Sequence, residues 1–236
     1  MSELPAEGRV SRQRERQSAI AADVMADGSV RIEALAEKHG ISLMTTHRDL
    51  DALVSRGVIR KTRGMATALS SSLVEASDLF RRGLQHAEKA ALARAACAFI
   101  EPGHALILDD STTTRHLVPS LSDKTPLTVI TNYLPVIEDL NGEPDITLIA
   151  LGGQFYPWAN SFMGHVTVKT TRDVRADLFI MSTSAITDDA CFHQMQETVD
   201  TKRAMFDSAA TRVLLVDHTK FARRALHALA ALAEFD

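Results

Sequence analysis

From residue 105 onward, five short apolar runs recur at intervals: Ala105 to Leu108, Leu127 to Ile130, Ile146 to Leu151, Leu178 to Met181 and Val213 to Val216. Runs of this length fit strands buried on both faces better than helices. Between them lie helix-like stretches such as Leu134 to Leu140 and Glu197 to Ala210. Strands that alternate with helices predict an α/β domain built on a doubly wound, mostly parallel sheet.

Open sheets of that kind bind ligands just beyond the C-terminal ends of their strands. The residues after the five runs are Asp109-Asp110-Ser111-Thr112-Thr113-Thr114, Thr131-Asn132, Gly152-Gly153, Ser182-Thr183-Ser184 and Asp217-His218-Thr219-Lys220. They supply small hydroxyls, amides and exposed backbone, and Lys202 or Lys220 can add positive charge. An anionic, polyhydroxylated ligand such as a sugar phosphate needs that combination. The candidate ligand set is Asp109, Ser111, Thr112, Thr113, Thr131, Asn132, Gly152, Gly153, Lys202 and Lys220.

The N-terminal part reads differently. Ile20, Ala21, Val24 and Met25 follow helical spacing from Arg16 to Met25, and Asp27-Gly28 supplies a stop. A second helix over Arg31 to His39 carries Ile32, Leu35 and Ala36 on one face. Gly40 ends it, and Ser42 can cap a third helix from Leu43 to Ser55. Two short helices across a glycine turn form a helix-turn-helix. In the third helix Thr46, Leu50 and Leu53 should face inward, leaving Met44, Thr45, His47 and Arg48 nearer the opposite side, as in a helix that reads base edges in the major groove. The run Val58 to Thr62, a turn at Arg63-Gly64 and the return from Met65 to Leu69 predict a hairpin with basic residues at its tip, the wing of a winged helix-turn-helix. The DNA-contact candidates are Ser42, Thr45, Thr46, His47, Arg48, Lys61 and Arg63.

Charge supports the division. The 236 residues carry a formal net charge of −4, which excludes a chain that coats nucleic acid through bulk positive charge. By segment, residues 1–70 hold 11 Lys/Arg and 9 Asp/Glu, and residues 71–236 hold 15 and 21. The first segment's basic residues cluster at Arg9/Arg12/Arg14/Arg16 and Arg56/Arg60/Lys61/Arg63, the pattern of a small DNA-reading module joined to an acidic partner. Cys97 and Cys191 cannot make a disulfide framework, no run approaches the ~20 apolar residues of a membrane span, and the polar start lacks a signal-peptide core. A cytoplasmic setting follows as an expectation. The nine histidines show neither His-x-x-x-His nor Cys-x-x-Cys company, so no metal or cofactor site is expected.

The stretches IEALAEKHGISLMTTHRDLDAL, LILDDSTTT, VITN, LGG, ADLFIMSTSAI, KRAM and LLVDHTKF occur in this order, and with them the chain resembles the DeoR/GlpR-type bacterial transcriptional regulators over nearly its whole length. The resemblance implies an N-terminal winged helix-turn-helix and a C-terminal effector domain related in fold to ribose-5-phosphate isomerase and glucosamine-6-phosphate deaminase. It also implies an oligomeric repressor of sugar-use genes, controlled by a phosphorylated sugar. Ser42, Thr45, Arg48, Asp49 and Leu50 match the family's recognition helix, while Thr46 stands at an Ile position and His47 at an Arg position. In the wing Gly64 matches the first glycine of a usual pair and Met65 replaces the second. Asp109, Thr112 and Thr113 match an Asp-Ser-Gly-Thr-Thr loop in which Asp110 replaces Ser and Ser111 replaces Gly. Thr131-Asn132, Gly152-Gly153, Lys202, Asp217 and Lys220 match directly, and Ser182-Thr183-Ser184-Ala185 replaces a more Gly-containing stretch.

These readings together give a winged helix-turn-helix domain over 1–70 (residues 1–12 disordered), a linker helix region over 71–90 within a helical pattern from Glu75 to Phe99, and an effector domain over 91–236. The resemblance implies a further strand and helix after Phe221 to Leu226, so an effector domain shortened at its C-terminus is expected. The expected partners are double-stranded operator DNA, a phosphorylated sugar effector and further copies of the chain, as dimer or tetramer, with no membrane. Two alternatives stand beside this reading. One is a sugar-phosphate isomerase-like enzyme using Asp109, Asp110, Asp188, Asp189 or Glu197 as general bases. The other is a DNA-binding module that has lost effector sensing, suggested by Asp110 and Ser111.

Overall fold

Three helices and three short strands make up the first part of the computed structural model, which describes residues 6–27, 29–68 and 78–236. They are α1 (Ala6–Asp27), β1 (Ser29–Arg31), α2 (Ile32–Lys38), α3 (Leu43–Ser55), β2 (Ile59–Thr62) and β3 (Met65–Ala68). Ile20, Ala21 and Val24 of α1, Ile32, Leu35 and Ala36 of α2, and Leu50 and Leu53 of α3 are buried. The apolar spacing predicts these faces, and their burial holds short helices that would be marginal alone. The α2–α3 turn is a Schellman motif: Gly40 lies at φ +60, its N–H bonds Glu37 O at 3.1 Å, and Ile41 N–H bonds Ala36 O at 3.0 Å. Ser42 caps α3 by accepting from Thr45 N–H at 3.2 Å.

The wing is the β2–β3 hairpin. Thr62 pairs with Met65, and Arg63 (φ 46) and Gly64 (φ 77) form a two-residue loop with both residues left-handed, the geometry of a type I′ turn. β3 lies between its neighbours in a sheet of order β1-β3-β2. Strand β1 overlaps the predicted start of the second helix at Arg31. It has only three residues and exists through its pairing with β3, so no local alternation announces it.

Residues 1–5 of the segment expected to be disordered lie outside the described residues, but from Ala6 the chain is helical. The helix predicted from Glu75 to Phe99 is corrected as well. Residues 75–77 lie outside the described residues, and thereafter two helices occur, α4 (Asp78–Arg82) and α5 (His86–Ala96), followed by a 3-10 turn over Cys97–Phe99. Between them Gln85 takes φ +54, which no continuous helix allows. Two compact units, Met1–Gly83 and Leu84–Asp236, divide the chain within this stretch.

The second unit contains β4 (Ala105–Leu108), β5 (Leu127–Thr131), α6 (Leu134–Asp139), β6 (Ile146–Ala150), β7 (Gln154–Tyr156), β8 (Ser161–Met163), α7 (His165–Arg172), β9 (Ala176–Met181), β10 (Ala185–Thr187), β11 (Ala190–His193), α8 (Gln196–Asp207), β12 (Ala209–Leu214) and β13 (His227–Ala231). The five predicted runs form one parallel sheet of order β12-β9-β4-β5-β6. Alternate residues serve opposite faces: Leu106, Leu108, Val129, Leu178 and Ile180 join one core cluster, and Ile107, Ile130, Phe179 and Met181 the other. Both faces are covered, so these strands read as unbroken apolar runs. The strand order reverses between β4 and β9, and at such a switch point the loops diverge and open a crevice.

Smaller pieces frame that crevice: the β7–β8 hairpin and an antiparallel sheet of order β10-β11-β13. The stretch after Leu226, expected to lack a further strand, forms β13 and pairs with β11.

Candidate functional site

Along the N-terminal half of α3 the exposed side chains are Leu43, Met44, His47 and Arg48, with Met44 73% exposed. Ser42 is exposed and Thr45 half-buried, their hydroxyls 2.9 Å apart. This is a polar and apolar face of the size a groove accepts. Thr46 does not belong to it: the side chain is fully buried and its hydroxyl donates to Ser42 O at 3.1 Å, so Thr46 is withdrawn from the DNA-contact set.

The helix is set in place by a residue the sequence reading matched but gave no role. Asp49, buried on the opposite side of α3, accepts from Arg16 Nε at 2.6 Å and Gln17 Nε2 at 2.9 Å, both on α1. Arg56 Nη2 in turn donates to Gln17 Oε1 at 2.9 Å. Burial works against the charge of Asp49, but the hydrogen bonds from Arg16 and Gln17 hold its carboxyl below the ordinary carboxylate range. Arg16, half-buried, and Arg56, exposed, both grouped in the sequence with the DNA-facing basic clusters, are thus tied to side chains of α3 and α1 respectively. An aspartate three residues from Thr46 on the buried stripe is the signal that could have found this anchor. On the wing, Arg63 is exposed at the turn, and Lys61 Nζ lies 2.6 Å from Asp51 Oδ1. An exposed pair of that kind contributes about 0–1 kcal/mol and yields readily to a phosphate.

At the switch point of the second unit Asp109 is fully buried and clamps β4 to β9. Its Oδ1 accepts from Ser111 N–H at 3.1 Å and the Thr114 hydroxyl at 2.8 Å. Its Oδ2 accepts from Ser182 N–H at 2.9 Å and Lys202 Nζ at 2.6 Å. Lys202, on α8, also donates to Ser182 O at 3.0 Å and lies 3.2 Å from Asp110 Oδ1. Asp110 Oδ2 accepts from the Ser161 hydroxyl at 3.1 Å, and Asn132 Nδ2 donates to Phe162 O at 2.7 Å.

Asp109, Ser111, Asn132 and Lys202 thus come together, with Asp110 among them and Thr112 and Thr113 buried in the same loop. Thr131 turns its hydroxyl to Tyr133 N–H at 3.2 Å. Gly152 and Gly153 serve close packing with α7: the Thr167 hydroxyl donates to Gly152 O at 2.8 Å, and a Cβ on Gly153 would sit 2.1 Å from that hydroxyl oxygen. Lys220 stands beyond edge strand β12, in a 3-10 turn opened by Asp217. Burial opposes ionisation of Asp217, yet the Thr219 hydrogen bond and the charges of Lys220 and Arg223 hold its carboxyl low. Sequence reading missed Ser161 because it lies on a three-residue strand, and missed Gln194, buried just before α8, because it follows none of the five runs.

Comparison with known proteins settles the family. A model described as the DeoR C terminal sensor domain matches residues 84–236, and one described as the DeoR-like helix-turn-helix domain matches residues 16–72. The chain belongs to the DeoR family. It is therefore a DNA-binding transcriptional regulator and not an enzyme.

This DeoR-family regulator is 30% identical over 226 residues to the glycerol-3-phosphate regulon repressor of Escherichia coli K12, spanning 95% of this chain and 89% of that one. It is 30% identical over 200 residues to the lactose phosphotransferase system repressor of Lactococcus lactis subsp. lactis, spanning 84% and 78%. It is 31% identical over 211 residues to the L-fucose operon activator of E. coli K12, spanning 88% and 86%. Among solved structures, a ribose 5-phosphate isomerase A of Methanocaldococcus jannaschii is 12% identical at a TM-score of 0.41, over 57% of this chain and 54% of that one. The strand order of the second unit, rather than this likeness, defines its fold. Among the described residues, no helix is long and apolar enough to cross a membrane.

Proposed function

We propose that this regulator represses a carbohydrate-use operon in the cytoplasm, binding operator half-sites as a homo-oligomer and responding to a phosphorylated sugar at the C-terminal edge of its parallel sheet. The observation that carries the reading is the cluster of buried polar side chains at the β4/β9 switch point, in one chain with a helix that exposes Met44, His47 and Arg48. Three relatives are named as regulators of this kind, a lactose phosphotransferase system repressor, a glycerol-3-phosphate regulon repressor and, acting in the opposite sense, an L-fucose operon activator. Two are repressors, which favours repression. Paired recognition helices would meet half-sites about one helical turn apart. Ser42, Thr45, His47 and Arg48 face the bases and nearby phosphates, with Lys61 and Arg63 on the flanking backbone.

The test is a mobility-shift assay on the DNA upstream of the regulator's own gene and its neighbours, with and without a panel of sugar phosphates. Arg48→Ala should weaken binding at least tenfold while leaving the helical circular dichroism unchanged; unaltered binding would remove Arg48 from the interface. One observation favours a second reading, in which sensing is lost: Lys202 is already engaged by Asp109 and Asp110. Under that reading no compound of the panel shifts either operator binding or the melting temperature. On the preferred reading, a ligand at 100 times its Kd adds about 2.7 kcal/mol to stability.

A further inference from the structure

The crevice at the ends of β4 and β5 holds more hydrogen-bond acceptors than the protein satisfies. Asn132 is 1% exposed, and its Nδ2 donates to Phe162 O at 2.7 Å. That bond fixes the amide orientation, since a flipped amide would set oxygen against oxygen. Asn132 Oδ1 is then buried without a hydrogen-bond partner among the described residues. Leu108 pairs with Thr131, so Asn132 stands level with the Asp109–Asp110 pair on the adjacent strand. Phe162 follows Ser161, whose hydroxyl holds Asp110.

A second buried acceptor in the same condition is Gln194 Oε1, on a residue 8% exposed. It lies between the end of β11 and the start of α8, the helix that carries Lys202, and the Thr198 hydroxyl of α8 contacts Met163 Sδ on β8, the strand of Ser161, at 3.3 Å. Unmet buried acceptors are a standing cost that a ligand's donors remove. Lys202 is poorly placed to offer that relief or to greet an anion. Its ammonium has three donors and faces Asp109 Oδ2, Ser182 O and Asp110 Oδ1 at 2.6, 3.0 and 3.2 Å.

We propose that this crevice takes the hydroxyl- or ammonium-bearing end of the effector, with Asp110 and the amide oxygens of Asn132 and Gln194 as its acceptors, and that it excludes a phosphoryl group. The ligand class is a polyol or amino sugar, its donor end inward. The inference rests on the sugar-phosphate reading only for the ligand's other end. It also separates the two uses of adjacent carboxylates: Asp109 clamps the sheet, and Asp110 reads the ligand.

The test is calorimetric titration of the full chain with pentose and hexose phosphates, their 2-deoxy and 2-amino forms, the matching free sugars, amino sugars and alditols, and inorganic phosphate. The proteins are wild type, the isosteric Asp110→Asn and Asp110→Ser, each first shown to retain the wild-type melting temperature within a few degrees and unliganded operator binding. In the wild type, replacing the amino or hydroxyl group by hydrogen should weaken binding about tenfold or more. Asp110→Asn should abolish any preference for amino over hydroxyl compounds while keeping the hydroxyl preference. Asp110→Ser should lose the discrimination and bind inorganic phosphate more tightly. Deoxy compounds that bind as well as their parents, or a ranking unchanged by both variants, would overturn the proposal, as would no binding by any donor-bearing compound, phosphorylated or free. If free amino sugars or alditols bind through Asp110 and no phosphorylated compound does, the inference stands and the sugar-phosphate reading of the effector fails.

Discussion

Asp49 sits where the reading surface is made rigid, because a recognition helix can only present Arg48 if its other side is fixed. Its two oxygens take Arg16 Nε at 2.6 Å and Gln17 Nε2 at 2.9 Å. The native carboxyl is held below its ordinary value, so its contribution to stability is full above the unfolded-state pKa near 4 and is lost as the pH falls through the lower native value. Asp49→Asn should therefore cost about 1.5–3 kcal/mol at neutral pH, the range for hydrogen bonds to charged groups. It should also flatten the decline in stability below about pH 4. Urea unfolding followed by helical circular dichroism from pH 3 to 7 checks both. Equal pH slopes in the two proteins would mean that this carboxylate does not govern the acid limb.

Among elements the wing carries a conflict between folding and function. Its I′ turn wants left-handed residues at both central positions, yet the first is Arg63, at φ +46. A side chain there costs roughly 1–2 kcal/mol relative to glycine. Arg63→Gly should stabilise the hairpin and raise the melting temperature, while lowering operator affinity and reducing the slope of log affinity against log salt by about one, as the loss of one phosphate contact requires. A variant that melts higher and binds DNA as tightly would show that Arg63 makes no phosphate contact. The same hairpin illustrates what a sequence can disclose. The strand ends at Thr62 and Met65 and the Arg63-Gly64 turn are local chemistry and were legible, as were the five sheet strands and the exposed face of α3. Strand β1, the β7–β8 hairpin and β13 exist through pairing with distant partners, so three to five residues carried no sign of them. Of the candidate site, Asp109 follows a sheet strand, whereas Lys202, 93 residues away in sequence yet 2.6 Å away in space, lies on α8. Ser161 and Gln194 were not legible, because neither follows one of the five parallel strands.

At the scale of the molecule, a regulator with a formal charge of −4 must bind a polyanion. Its first 70 residues carry +2 and the remainder −6, and two of the basic residues in the first part, Arg16 and Arg56, already bond side chains within the domain. On the recognition helix and wing, Arg48, Arg60, Lys61 and Arg63 remain to meet phosphate, and each should contribute about one to the salt slope. Exposed charges more than about 8 Å from the phosphates are largely screened at physiological ionic strength. Arg60→Ala and Lys61→Ala should each reduce the salt slope by about one. Lys220→Ala makes the chain more negative by the same single charge, and should leave the slope and the ligand-free operator affinity at 0.15 M salt unchanged. Fluorescence anisotropy on a labelled operator between 50 and 300 mM salt measures all three. A Lys220→Ala slope that moved with the other two would mean that DNA affinity follows the net charge of the whole chain, and the local contacts assigned to the wing would lose their support.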